Sequence, residues 1–470
     1  MRDVSPAPVT RIHASESNVS VGFDRHALDR VRTSAVTRDV VIASAVALVL
    51  GLIRLGTPSF WVDEAFTARA IQLPLSELID RQYHLLYYSM AKPWAFFAGT
   101  SEWALRMPSV LGAMLACGLL VVLAHKLFDR WVSLTSGLFL ATSPFLVKWS
   151  QQARGYTLIL AASLLATLLL IRALERGSRT AWAVYGVAFS AVVVWHPVSG
   201  LLLLPAHAVL AYQRRERALP HGLLAAVIIG VLAVPWAGVV AVRSTGEGVA
   251  MNWLEAPTPA VAAHALLDVS GAAGVGVLLA IVGLGVLHRA RSLNLMVWLG
   301  VWAFAPFLLA LLVSTVRPIF LDRYLIVAAP AFALLAGVAV TGVGSRLRAA
   351  TGLAAVVATS IGLVAWYSSA DGGNWRGEDW RSAVTTVLER RGENEPIVVA
   401  PWSAHPAATY YGAQVSDVST ADSIWVLTWS ETGDDLHAAD RRALGFGNHR
   451  LVERLQFGWR VSAQLWKREP

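Results

Sequence analysis

The chain has 470 residues, 56% of them hydrophobic and only 15% charged, and its mean hydropathy is +0.54. Soluble domains sit near half apolar and a quarter charged, so an ordinary soluble protein is excluded. The formal charge of +8, from 39 Lys and Arg against 31 Asp and Glu, falls in short Arg-bearing stretches between apolar runs; it reads as loop charge that orients a membrane protein, with no nucleic-acid partner expected.

Residues 1–38 are polar and carry Arg2, Arg11, Arg25, Arg30, Arg32 and Arg38. No short apolar core closes on a small-residue cleavage site, so a cytoplasmic, disordered tail is expected rather than a signal peptide. Apolar runs of about 20 residues follow, the length that crosses a bilayer as helix. Eleven spans are predicted, at 39–56, 109–125, 132–147, 157–174, 181–198, 200–213, 223–242, 260–287, 294–315, 324–343 and 352–369. The single cysteine, Cys117, lies in one of them and excludes an intrachain disulfide.

With the N-terminus inside, alternate connections hold Lys126 and Arg130, Arg172, Arg176 and Arg179, Arg214, Arg215 and Arg217, Arg289 and Arg291, and Arg346 and Arg348. Short basic loops stay cytoplasmic, and all five agree on one orientation. Residues 83–98 are also apolar, but counting them as a span would export every basic loop. They are therefore placed as a juxtamembrane or re-entrant segment on the outer side. The outer face then carries a long first loop at 56–108 and the shorter stretches 148–156, 243–259 and 317–324. The tail after residue 369 is outside as well. In it, an amphipathic helix ending at Arg391, a strand at 396–400, a helix at 407–411, a strand at 424–429, a polar helix at 434–444 and two closing strands predict a small α/β domain. Three regions result: a tail at 1–38, a membrane domain at 39–369 and an extracytoplasmic domain at 370–470.

The outer loops concentrate ionisable residues. Asp63 and Glu64 follow Trp61 just beyond the first span, where an acidic pair is costly unless hydrated, paired or functional. Neighbouring residues on a helix point about 100° apart, so the two serve different partners. One carboxylate at such a boundary suits a general base; the competing account is a solvated first turn, where Asp and Glu favour the helix dipole. Arg154 and Arg323 each open a span on the outer side beside a tyrosine, Tyr156 and Tyr324. Guanidinium forks match phosphate, although Arg and Tyr also anchor at the interface. His84 and His196 lie on the same side as interfacial residues or substrate contacts. A divalent metal on Asp63, Glu64 and His84 is an open alternative to a metal-free site, but these residues lack the tight spacing of a ligand set. No Walker-type glycine loop is present, so no nucleotide cofactor is expected.

Several motifs occur in a fixed order: Trp61-Val62-Asp63-Glu64, His84-Leu85-Leu86-Tyr87-Tyr88, Glu102-Trp103-Ala104-Leu105-Arg106-Met107-Pro108-Ser109, Ser150-Gln151-Gln152-Ala153-Arg154-Gly155-Tyr156 and Asp322-Arg323-Tyr324-Leu325 with Pro330. In this order, over about residues 40–345, the chain resembles the polyprenyl-phosphate-sugar-dependent membrane glycosyltransferases of the GT-C fold, the protein mannosyltransferase-like group (family 39). It departs where many relatives carry His-Pro-Pro, since His84 is followed by Leu85 and Leu86. The resemblance implies inverting transfer of a sugar from a lipid phosphate to a hydroxyl on a protein, lipid or glycan acceptor. Asp63 would deprotonate the acceptor with support from Glu64, and Arg154 and Arg323 would hold the donor phosphate. His84, Tyr88, Gln151, Tyr156, His196 and Tyr324 would line the substrate. Mannose is the expected sugar, with an arabinosyl or other pentosyl donor competing. No cofactor is required by that chemistry. A transporter or lipid flippase explains the spans equally well, but not the acidic pair in a long first loop or the outer domain; neither related halves nor paired broken helices are visible.

Overall fold

The computed structural model describes residues 33–81, 84–243, 254–271, 274–344, 346–368, 377–416, 421–430 and 449–469. Most of the expected tail and the predicted helix at 434–444 lie outside these. Helix α1 (Thr33–Leu52) opens earlier than the sequence reading places it, inside the segment assigned to the tail. The first loop holds α2 (Val62–Ala70), α3 (Leu75–Arg81) and α4 (Leu85–Ala98). Helix α4, with 14 residues, is too short to cross a bilayer core of about 30 Å. Its Lys92 donates to the carbonyls of Ile71 (3.1 Å) and Leu73 (2.7 Å), tying α4 to the end of α2.

The bundle continues through α5 (Glu102–Leu127), α6 (Arg130–Ala141), α7 (Pro144–Ser150), α8 (Tyr156–Arg176), α9 (Arg179–Trp195), α10 (Pro197–Gln213), α11 (Arg215–Leu232) and α12 (Val234–Arg243). Then come α13 (Pro259–Ser270), α14 (Val275–Arg289), α15 (Leu293–Ser314), a 3₁₀ turn at Asp322–Ala328 leading into α16 (Ala329–Thr341), and α17 (Arg348–Ser368). Ser101, Asp129, Ser178 and Thr258 cap four of these helices, each side chain accepting the N–H three residues on.

The expected count of eleven spans needs correction. Among the described residues, seven helices are long and apolar enough to cross a membrane, or eight if the bent pair α13–α14 is one span. The predicted run at 132–147 is broken at Ser143-Pro144 into α6 and α7, and those at 181–198 and 200–213 are 17-residue helices that meet at His196-Pro197. Apolar composition runs through these breaks, but proline removes a helix donor and ends the preceding helix. Nearly every residue of the segment through α16 is buried and it forms the bundle's centre, whereas of α11 and α12 only Ala225 and the intervening Ala233 are buried, which leaves that pair as an exposed apolar flank. Close approach to the centre depends on small residues: a Cβ on Gly283 would stand 2.2 Å from the Leu335 carbonyl oxygen.

The two ends of the bundle differ in charge. At one end Arg130 grips the buried Asp39 with bonds of 2.9 and 3.1 Å, Lys126 pairs with Glu175 at 2.7 Å and Arg348 with Asp129 at 3.6 Å. This basic end faces the cytoplasm. The C-terminal domain sits at the opposite end and is therefore extracytoplasmic. Its sheet has the order β1-β2-β4-β3, with β1 (Ile397–Ala400) parallel to β2 (Ser423–Trp429), and with β4 (Val461–Arg468) antiparallel to both β2 and β3 (His449–Phe457). Helix α18 (Trp380–Arg390) buries Trp380, Ala383, Val384 and Val387 against one face. That core is continuous with the first loop, because Phe60, Val62, Ala65, Tyr87 and Tyr88 belong to the same apolar cluster.

Candidate active site

Helix α2 separates its acidic pair. Glu64 is fully buried, and both its oxygens are taken: Oε1 accepts from Arg106 Nε and from the Ala153 N–H, each at 2.7 Å, and Oε2 accepts from Arg106 Nη2 at 2.7 Å. One turn on, Thr67 Oγ1 donates to the Ala153 carbonyl at 2.9 Å. The buried face of α2 thus holds the Ala153 peptide from both sides and delivers the next residue, Arg154, beside Asp63. Ser109 fixes Arg154 from behind by donating to its carbonyl at 2.6 Å.

Asp63 points the other way, with its side chain 30% exposed. Its Oδ2 lies 4.0 Å from Arg154 Nη2 and 4.0 Å from Arg323 Nη2. These are ion-pair distances wider than a hydrogen bond. Arg323 arrives from the 3₁₀ turn, whose Asp322 pairs with Lys148 at 3.0 Å and accepts the Arg323 N–H at 2.8 Å. Three distant stretches of chain therefore converge on one point at the outer end of the bundle.

The aromatic shell orients the guanidinium groups. Arg154 donates to the Tyr88 hydroxyl at 3.2 Å and to His84 Nε2 at 3.1 Å. Guanidinium cannot accept, so His84 is neutral with its hydrogen on Nδ1. Burial, followed by the nearby Arg154, His196 and Arg323, holds the His84 pKa well below the ordinary imidazole range. The His84 ring stacks on His196 with centroids 5.7 Å apart. His196 caps α10 by accepting the Ser199 N–H at 3.1 Å, and its ring lies 4.4 Å from Tyr324 and 5.9 Å from Tyr156. Tyr156 and Tyr324 are both buried, 6.5 Å apart.

Of the residues expected from sequence, Asp63, Arg154, Arg323, His84, Tyr88, Tyr156, His196 and Tyr324 thus come together. Gln151 does not join them. Its amide donates to the carbonyl of Ile53 at 2.7 Å and its oxygen accepts from Trp366 at 3.0 Å, which fastens the end of α1 to α17. Glu64 lies beneath the site rather than in it. Arg106 is the residue that sequence reasoning passed over. It is 2% exposed and adds bonds to the carbonyls of Leu55 (2.8 Å), Pro58 (2.9 Å) and Ser59 (3.2 Å) to its fork on Glu64. Arg106 stands three residues before the predicted span at 109–125, where a buried arginine needs a partner, and that was the available signal. Among the described residues, no three His, Cys, Asp or Glu side chains are grouped as metal ligands would be.

A family model described as dolichyl-phosphate-mannose-protein mannosyltransferase matches residues 88–238, less than half of the chain. That stretch carries Tyr88, Arg154, Tyr156 and His196. Among solved structures, apo ArnT from Cupriavidus metallidurans superposes with a TM-score of 0.63 at 16% identity, covering 91% of this chain and 98% of that one. The form of that protein bound to undecaprenyl phosphate gives 0.57 at 15% identity, over 91% and 97% of the two chains. No curated protein matches in sequence. At these identities the likeness is one of fold, and it spans the membrane bundle and the outer domain together.

Proposed function

We propose that this chain, a multi-pass membrane protein of the GT-C fold with an extracytoplasmic C-terminal domain, is a glycosyltransferase. It moves a sugar from a polyprenyl-phosphate donor to an acceptor hydroxyl at the outer membrane face. The observation that carries this reading is the partly exposed Asp63 carboxylate, 4.0 Å from each of two buried guanidinium groups. Arg154 and Arg323 would bind the donor phosphate, and Asp63 would take the proton of the acceptor hydroxyl. The acceptor oxygen then bonds to the anomeric carbon on the side opposite the phosphate, and the carbon–oxygen bond to phosphate breaks with inversion. Its electron pair leaves with the lipid phosphate, whose charge the two arginines stabilise. His84 and Tyr88 aim Arg154, while Tyr156, His196 and Tyr324 wall the donor side. Glu64 acts as a positioning residue through Ala153.

The family description supports mannose as the sugar, and the ArnT complex supports a prenyl phosphate as the carrier. The acceptor is a protein, lipid or glycan hydroxyl. The division into a tail at 1–38, a membrane domain at 39–369 and an outer domain at 370–470 belongs to the same proposal. So does an odd number of crossings, since helix α1 starts at the basic end and the C-terminal domain lies at the other.

The test is purified protein with radiolabelled prenyl-phosphate sugars and membrane acceptors. Label appearing in acceptor is the expected result. Donor binding without transfer for every sugar would overturn the enzyme reading in favour of a carrier. In the same assay, Arg154→Lys is expected to raise the donor KM about tenfold or more, because a point charge replaces a planar fork. An unchanged donor titration would leave Arg154 as an interfacial anchor.

A further inference from the structure

Helix α2 begins without a cap of its own, since its N-cap residue Trp61 supplies no side-chain acceptor. The Glu64 and Ala65 N–H groups bond back to the Trp61 carbonyl at 3.0 and 3.1 Å. The first helical N–H, that of Val62, instead donates to Glu378 Oε2 at 2.9 Å, across 316 residues of chain. Glu378 belongs to the outer domain, is fully buried, and uses the same oxygen to accept from Trp380 Nε1 at 3.0 Å. Arg460 approaches its other oxygen at 3.9 Å. The local backbone is built for this placement. Gly377 has a φ of +63°, its carbonyl accepts from the Arg460 N–H at 3.1 Å, and a Cβ there would fall 2.1 Å from the Trp459 ring.

The contact is one of a set along the segment that leads into α2. The Tyr411 hydroxyl accepts the Phe60 N–H at 2.7 Å and donates to Glu102 at 2.9 Å. Arg381 donates to the Thr57 carbonyl at 3.0 Å and pairs with Glu102, and its N–H reaches Ser59 Oγ at 3.3 Å. The membrane domain grips the same segment from the other side through Arg106. A carboxylate at a helix start also complements the helix dipole. Asp63 follows Val62 directly, so whatever fixes the Val62 amide fixes the direction in which Asp63 leaves the helix.

We propose that the extracytoplasmic domain is a positioning element for catalysis, with Glu378 capping the helix that carries Asp63. The activity arm of the test rests on the role proposed for Asp63, whereas the exchange arm does not. Glu378→Ala removes the cap. Glu378→Gln keeps an oxygen able to accept from both Val62 and Trp380, so it should rescue. For Glu378→Ala the expected result is a kcat lowered about tenfold to a hundredfold with donor KM unchanged, because small misplacements of a reacting group cost rates of that size. Amide hydrogen exchange of residues 62–65 should accelerate in Glu378→Ala and stay slow in Glu378→Gln. If Glu378→Ala does not fold, Tyr411→Phe, which removes the acceptor for the Phe60 N–H and a donor to Glu102, is expected to accelerate exchange at residues 60–62 and to lower kcat in the same way. Unchanged exchange and kcat in a folded Glu378→Ala or Tyr411→Phe protein, or a Glu378→Gln protein as impaired as Glu378→Ala, would overturn the proposal. A wild-type protein inactive on every donor would sink the glycosyltransferase reading, and exchange in the variants would still decide whether the outer domain caps the helix.

Discussion

Asp63→Asn is expected to abolish sugar transfer, lowering kcat by about 10²–10⁴-fold, the usual contribution of a positioned general base. Asparagine has nearly the same shape but cannot accept a proton at neutral pH. The fold should tolerate the change. Asp63 is 30% exposed and stands 4.0 Å from both Arg154 and Arg323, wider than a hydrogen bond. Arg154 keeps its bonds to Tyr88 and His84. The discriminating measurement is therefore kcat alongside thermal unfolding and donor binding in the same preparation. Loss of kcat with the other two retained supports the base, and full activity in the Asn variant would sink it. Glu64→Gln provides the contrast. Its carboxylate bonds two nitrogens of Arg106 and the Ala153 amide, so its removal should lower the unfolding temperature before it shows as a selective loss of kcat.

The contrast between these two neighbours shows where the sequence was informative. Helical spacing says that adjacent carboxylates face different surroundings, but not which faces the site. The convergence of Asp63, Arg154 and Arg323 was legible because the basic loops fixed which ends of the spans are outside, and all three residues fell on that side. Gln151 misled because it shares a motif with Arg154 while its amide turns back to the end of α1. Arg106 and Glu378 were not legible as partners of the site, since side-chain pairing over 42 and 316 residues leaves no local periodicity. The outer domain's succession of helix and strand was readable, including the strands at 396–400 and 424–429. Their merging with the first loop through Phe60, Val62 and Trp380 was not, because apolar residues at a domain boundary look like any core residues. Hydropathy overstated the span-length helices for a related reason: it reports where apolar residues are, not where Pro144 and Pro197 start a new helix.

Arg106→Met is expected to destabilise the protein more than any substitution at the site surface. The guanidinium has five N–H donors, and here they reach Glu64 twice and the carbonyls of Leu55, Pro58 and Ser59. Methionine fills the space and leaves Glu64 buried with a charge and no counterion. Breaking a buried pair from one side costs about 3–5 kcal/mol. Arg106→Lys keeps the charge but offers three donors, so it should be intermediate. The double variant Arg106→Met, Glu64→Leu removes both charges together and should recover much of the lost stability. It should not recover activity, because the Ala153 N–H loses its acceptor and Arg154 is no longer held beside Asp63. Thermal unfolding in detergent and transfer rates on the three proteins test this. Wild-type unfolding temperature in Arg106→Met would refute the stability claim. Wild-type transfer in the folded double variant would show that Glu64 has no part in placing Arg154.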